Sequence, residues 1–237
     1  MRRPAISVSL TVSTATLLTD EALDFNHSRS TDRRPRRGGA RQRARLSEQL
    51  RQKKDFKQIE RLQGGSKCKS FWKGKKALGT RVNTGSKECL FSTPVEGDSK
   101  QPDVTLQAVG KVLKKTNKKV RSKVYVGLAT RANRKSAYEV RIFPKGRTFE
   151  LLKNGDEVAA GKNTAIKELD KRNQIRLSVD KGTVIAKVNG KRLAKFEDKS
   201  PEEVVGRKTA IGFGSVAKSN KDGFGLIDSI KAFVPDP

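Results

Sequence analysis

Asn173-Gln-Ile-Arg-Leu-Ser-Val-Asp-Lys-Gly-Thr-Val-Ile-Ala-Lys-Val-Asn-Gly-Lys-Arg-Leu-Ala-Lys-Phe196 is the stretch that decides the fold. Ile175, Leu177 and Val179 fall on alternate positions, as do Val184, Ala186 and Val188. That period of two puts each trio on one face of a strand. Asp180 to Gly182 turns the chain between the trios. Asn189-Gly190 then supplies a two-residue turn, whose central positions need the positive φ that Asn and Gly tolerate best. Leu193 and Phe196 continue into a third strand, so the stretch reads as an antiparallel meander with one buried face.

The same alternation recurs on both sides. Upstream it runs through Val104, Leu106 and Ala108, then Val124, Val126 and Leu128, then Tyr138, Val140 and Ile142, then Phe149 and Leu151. Downstream it returns in Thr209, Ile211 and Phe213 and in Ile230, Ala232 and Val234. Asn117, Gly146 and Asn154-Gly155 provide turn chemistry between runs. Nine or ten short strands with no convincing helix between them predict an all-β, antiparallel jelly-roll sandwich rather than crossover units. There is no internal repeat.

The chain has 237 residues, of which 34% are hydrophobic and 33% charged, with a formal charge of +28. One modest core is what such a composition can bury. Residues 1–67 hold 12 Arg and 4 Lys, residues 68–237 hold 10 Arg and 27 Lys, and 11 of the 13 aromatic residues lie in the second part. This shift predicts a basic N-terminal extension over 1–67 and the sandwich over 68–237. Within the extension, Ser28 to Arg45 is too charged to fold alone. Leu46, Leu50, Phe56, Ile59 and Leu62 predict a short amphipathic helix that ends before Gly64 and Gly65. Ala5 to Leu18 reads either as an alternating strand-like segment or, behind Arg2 and Arg3, as a signal peptide poor in apolar residues. The expected location is extracellular or at the cell surface, with the cytoplasm as the alternative. No stretch reaches the roughly 20 apolar residues of a membrane-spanning helix, so no transmembrane segment is expected.

The run from Asn173 to Gly190, followed by Phe196-Glu-Asp198, the Gly206 to Gly214 strand and Asp228-Ser-Ile-Lys-Ala-Phe-Val, resembles the second half of a concanavalin A-like lectin/glucanase sandwich. The same order occurs in its laminin G-like and keto-disaccharide-hydrolase-like branches. Ser92 to Asp103 and Tyr138 to Pro144 resemble segments of secreted actinobacterial proteins of this fold. The resemblance covers roughly Phe71 to Pro237. It implies the fold and leaves open a lectin, a hydrolase or an adhesion module.

Scarcity excludes several chemistries. His27 is the only histidine and sits in a polar stretch, so Ser-His-Asp or Cys-His catalysis has no scaffold. Cys68 and Cys89, the only cysteines, lack C-x-x-C spacing. They predict a disulfide in a secreted protein and buried thiols otherwise. Retaining glucanases of the resembled fold set carboxylates at alternating positions of one strand, because nucleophile and acid must face one sugar. Here Glu168 with Asp170 and Glu197 with Asp198 do not repeat that pattern, Glu139 is alone on its strand, and Glu150 has no partner by sequence. Asp98, Asp103, Asn220 and Asp222 are the oxygen donors nearest to a calcium set, and each reads more simply as a turn or cap residue. No metal, cofactor or catalytic residue is expected.

Lys111, Lys114, Lys115, Lys118, Lys119, Arg121 and Lys123 place seven cations within thirteen residues. If Lys114 to Lys119 spans a hairpin turn, their charges project from one end of the sandwich, where they attract polyanions by counterion release. Trp72, Tyr125, Phe143 and Phe233 fall out of phase with their strands' apolar sets or near a strand end, and are the candidates for sugar contact. The expected function is non-catalytic binding or adhesion toward a glycan or an anionic surface polymer. The alternatives are a glycoside-active hydrolase and non-specific nucleic-acid binding through the Arg-rich arm.

Overall fold

A computed structural model describes residues 43–49, 60–63, 68–72, 78–83, 89–93, 103–133, 135–217, 219 and 221–234. Its strands, in chain order, are β1 Arg43–Gln49, β2 Glu60–Gln63, β3 Cys68–Trp72, β4 Leu78–Asn83, β5 Cys89–Thr93, β6 Val104–Val112, β7 Val124–Ala132 and β8 Tyr138–Phe143. They continue as β9 Thr148–Lys153, β10 Asp156–Lys162, β11 Asn173–Asp180, β12 Thr183–Val188, β13 Lys191–Glu197, β14 Lys208–Ser215 and β15 Asp222–Val234. The only helical pieces among the described residues are two three-residue 3-10 turns, Arg121–Lys123 and Pro201–Glu203.

The strands form two antiparallel sheets. The first runs β13-β12-β11-β6-β15-β4-β3, with β1 also on β15, and the second runs β10-β9-β8-β7-β14-β5-β2. The sandwich expected from the alternating runs is the fold found. Strands that alternation did not mark also join it. The exposed edge strand β10 has no apolar face to signal it, since only Val158 and Ala159 approach the core. The helix expected over Leu46 to Leu62 is corrected at both ends. Arg43–Gln49 pairs with β15, setting Ala44 opposite Phe233 and Ser47 opposite Lys231, and Glu60–Gln63 pairs with β5. A weak helical preference here yields to sheet edges that offer ladder hydrogen bonds. Ala5 to Leu18, His27, Asp98 and Asn220 lie outside the described residues.

The core lies between the sheets and is filled by the alternating residues. Leu106, Ile175, Leu177, Val184, Val188 and Ile230 face inward from the first sheet. Val126, Leu128, Tyr138, Val140, Ile142, Leu151, Ile211 and Phe213 face them from the second. β7 is buried along its whole length. Its other set of side chains, Tyr125, Ala129 and Arg131, is therefore covered as well.

At the turn that joins β12 to β13, Asn189 and Gly190 take φ of 47° and 82°, as the sequence requires. The Asn189 amide also donates to Ala165 O (2.7 Å) and to Asn173 Oδ1 (2.9 Å), while its own Oδ1 accepts from Gln174 N (2.9 Å). Asn173 is fully buried and is bonded in both directions to the backbone of Lys167. One turn thus holds the long connection 163–172 in place. Replacing Gly190 by Val puts a β-branched residue in the left-handed region and should cost about 1–2 kcal/mol, read as a lower urea midpoint. An unchanged midpoint would show that the turn does not need this backbone.

Candidate functional site

Residues 113–123 carry the chain from β6 in the first sheet to β7 in the second. The hairpin expected at Lys114 to Lys119 is therefore an inter-sheet crossover, and its shape is fixed by two four-residue turns, Leu113–Thr116 and Asn117–Val120, and by hydrogen bonds to β15. Leu113 N donates to Phe224 O (2.8 Å) and Asn117 N to Asp222 O (3.1 Å), extending the pairing with β15 beyond the strands. Thr116, buried, accepts from Phe224 N at 3.0 Å and donates to Phe224 O at 3.3 Å. The Arg121 guanidinium donates to Lys114 O (2.5 Å) and Thr116 O (3.1 Å), so this cation ties the loop from within. Lys115 Nζ lies 4.2 Å from the centre of the Phe224 ring, a cation–π contact. Lys114, Lys118, Lys119 and Lys123 are exposed, and Lys111 is half-buried on β6.

Four other connections meet this loop. Register places 144–147, 163–172, 189–190 and 216–221 at the same end: Val124 pairs with Ser215, Asn173 with Gly110, and Asn163 N donates to Arg147 O. Asp170 links two of them, with its N donating to Val112 O and its Oδ1 accepting from Lys114 N at 2.9 Å. The described residues of these five connections include twelve Lys and Arg and two carboxylates, Glu168 and Asp170. All of the twelve except Arg121 are exposed. At the opposite end, the described residues of 133–137, 154–155, 181–182 and 198–207 include four Lys and Arg against three carboxylates. Among the described residues the two ends therefore differ in charge. Lys145, Lys167 and Lys171 were not legible as members of this end, because only the strand order brings their connections together.

Carboxylates at the opposite end are matched internally. The Asp198 side chain, 3% exposed, accepts hydrogen bonds from the Tyr138 hydroxyl, from Lys153 Nζ (2.8 Å) and from Ser200 N (2.9 Å). Lys153 also pairs with Glu203 at 2.7 Å. Burial pushes the Asp198 carboxyl up, but the hydrogen bonds from Lys153 and Tyr138 outweigh it and hold the group below the usual aspartate value. Beside it, the buried Arg131 takes a φ of 47° and pairs with Asp103 at 3.0 Å. Asp103 also accepts from Lys181 N, which engages one of the suggested calcium donors. Among the described residues no three His, Cys, Asp or Glu side chains are grouped to hold a metal.

The aromatic candidates fare differently. Tyr125 and Phe143 are 1% and 4% exposed and pack on each other with centroids 5.3 Å apart. Tyr125 lies against Gly214, where an added Cβ would fall 2.4 Å from its hydroxyl oxygen. Packing on these neighbours removes both rings from the surface on which a sugar could stack, a correction to the sequence reading. Phe233 is half-buried on β15 beside β1. Trp72 ends β3, and its side chain lies outside the described residues. Cys68 opens β3 in the first sheet and Cys89 opens β5 in the second, with both side chains outside the described residues.

The structure assembles one group that sequence reasoning missed. Glu139 and Arg141 on β8 and Glu150 on β9 share the face of the second sheet that points away from the core, with Arg141 directly opposite Glu150. The Arg141 fork meets both oxygens of Glu139, at 2.9 and 3.0 Å, and lies 3.7 Å from Glu150 and 4.9 Å from the Tyr125 ring centre. Burial, with the charge of Glu150, pushes the Glu139 carboxyl up to about 8. The two acids that looked solitary in sequence are neighbours because β8 and β9 form a hairpin. The signal was Arg141 and Glu150 at equal distances from the 144–147 turn, with Glu139 two residues before Arg141.

No family model matches the chain, and no curated protein matches it. Similar solved structures do exist. One is a Bacillus subtilis protein of unknown function with a galectin-like fold, at TM-score 0.57 and 15% identity, covering 83% of this chain and 100% of that one. A second comes from work on endo-acting O-glycanases of the human gut microbiota that initiate mucin breakdown, at TM-score 0.53 and 12% identity over 82% of this chain and 100% of that one. A third is the exoplasmic/lumenal domain of VIP36 in its Ca2+/Man-bound form, at 0.50 and 9% over 78% and 87%. At such identities the likeness is one of fold alone, an antiparallel two-sheet jelly-roll sandwich.

Proposed function

We propose that the protein is a non-catalytic binding module, exported to the cell surface or beyond, whose ligand is a carbohydrate or other surface polymer carrying negative charge. The observation that carries this reading is the hydrogen-bonded 113–123 crossover, which holds Lys114, Lys118 and Lys119 outward on a fixed backbone. A preformed cationic surface loses little loop entropy when it binds. The lectin-like fold of its structural relatives supports the carbohydrate part of the reading.

Changing Lys114, Lys115, Lys118 and Lys119 to Gln should weaken heparin retention roughly tenfold at low salt and flatten its salt dependence. The thermal midpoint should stay nearly unchanged, since three of these side chains bury little and only Lys115 gives up a ring contact. Unchanged retention and slope would reduce the loop to a solvated surface. Retention lost instead on deleting residues 28–42, which leaves β1 intact, would move binding to the Arg-rich arm.

A hydrolase of the same fold is the second reading, and Glu139 with Glu150 on one face is the observation that favours it. Arg141 occupies both oxygens of Glu139, an arrangement suited to holding a face together rather than to passing a proton to a glycosidic oxygen. Glycan cleavage abolished by both Glu139→Gln and Glu150→Gln would establish the hydrolase.

A further inference from the structure

The binding reading above treats one crossover as the contact element, and the inference that follows rests on it. The convergence of five connections reaches further. We propose that the whole charged end is a single contact surface, and that its partner is a linear anionic polysaccharide lying across connections from both sheets.

Three observations carry this. The cations are shared among connections that alternate between sheets, with Lys114 and Lys118 on the crossover, Lys145 on the β8–β9 turn, and Lys167 and Lys171 on the connection into β11. Strands within a sheet lie about 4.8 Å apart and packed sheets about 10 Å apart, so the charges are spread over a distance that only a polymer can follow. Next, the lysines named here are exposed rather than enclosed. Among the described residues the buried polar atoms that lack a hydrogen-bond partner are Thr130 Oγ1, Arg131 Nε, Ser136 Oγ and Arg176 Nε, and none belongs to these connections. Among the described residues a single small anion therefore finds no desolvated donor set at this end, and binding comes from many weak contacts with counterion release.

Finally, the five connections contain no aromatic residue, and Phe224, at the start of β15, lies under Lys115. Single-stranded nucleic acid is gripped by stacking its bases on aromatic rings, which this end does not offer. A polysaccharide with sulfate or carboxylate substituents needs only the ammonium groups. Asp170 also fits the arrangement. Its carboxylate accepts from the backbone N–H of Lys114, so one of the two acids described in these connections locks two of them together.

The test is a second variant of the full chain, Lys145→Gln with Lys167→Gln and Lys171→Gln, which leaves the crossover untouched. Heparin and polygalacturonate are the immobilised probes, beside single-stranded and duplex DNA of equal charge. The arginines before residue 43 are common to both proteins and cancel in the comparison. The triple variant should lose roughly tenfold in affinity for both polysaccharides at low salt, with a shallower salt slope and an unchanged thermal midpoint. Inorganic sulfate should compete no better than chloride at equal ionic strength. Unaltered affinity and slope in the triple variant, while the crossover variant is weakened, would overturn the extended surface and leave the loop reading standing. Tighter binding of either DNA than of both polysaccharides would overturn the choice of partner.

Discussion

Asp198→Ala should lower the unfolding free energy by about 3 kcal/mol or more, because it removes the acceptor shared by Lys153, the Tyr138 hydroxyl and the Ser200 amide. The Tyr138 hydroxyl would be left inside the structure without its partner, and Lys153 would keep only Glu203 as a carboxylate. Asp198→Asn, which retains the shape and one acceptor oxygen, should cost less. The variants also separate in pH dependence. Asp198 titrates lower in the folded chain than in the unfolded one, so its contribution is complete above the unfolded value of about 3.9 and disappears as pH falls through the folded value. Wild-type stability should therefore drop more steeply than that of Asp198→Ala below about pH 4. Tyr138 is shifted the other way, upward, by burial and by its hydrogen bond to Asp198. Its contribution is present below about pH 10 and is lost as pH rises above that. Urea unfolding at pH 3, 7 and 10.5 checks both limbs, and parallel curves for wild type and variant would show that this network does not govern the pH response.

The second large effect is expected at Gly206. An added Cβ would lie 2.0 Å from Arg131 O and 2.3 Å from the carbonyl carbon of Ala132, which are backbone atoms of the buried strand β7. No side-chain rotation relieves that contact. Gly206→Ala must therefore push the 198–207 connection off the sheet and should cost about 3 kcal/mol or more. Gly146→Ala is the matched control, since its Cβ would meet only the Thr148 side chain at 3.3 Å. That change should stay within about 0.5 kcal/mol. Equal midpoints for the two alanine variants would mean that the connection does not press on β7 as described.

The fold was legible where one face is buried and the other is not. Ile175, Leu177 and Val179, then Val184, Ala186 and Val188, are all core residues, and Asn189-Gly190 has the backbone its sequence demands. Legibility failed where the information is carried by pairing. Arg43–Gln49 has only Ala44 and Leu46 as alternating apolar residues and becomes a strand because β15 offers it a partner. Tyr125 looked displaced from its strand's core set, as it is, but β7 is covered on both faces, which periodicity cannot report. At the candidate site, sequence spacing exposed the cluster from Lys111 to Lys123. It did not expose the arrival of Lys145, Lys167 and Lys171, which depends on the order of strands in two sheets. Nor did it reveal that Arg121 is an internal tie, because one guanidinium reads like another until its acceptors are placed.

The central position of β15 has a consequence for how the chain is made. It pairs with β6 along one flank and, on the other, with β4 through Ile227 and then with β1 as far as Val234. Before residues 222–234 leave the ribosome, the first sheet can exist only as two fragments, β13-β12-β11-β6 and β4-β3, joined by no ladder. Closing the sheet sets Arg43 opposite Val234, a contact between distant parts of the sequence, and such contacts form slowly. During that interval β6 and β4 each present an unpaired edge, the feature through which nascent β-proteins associate with one another. A nascent chain stalled short of residue 222 should thus be the species most in need of a holding chaperone, and release of the last strand the step that ends the need.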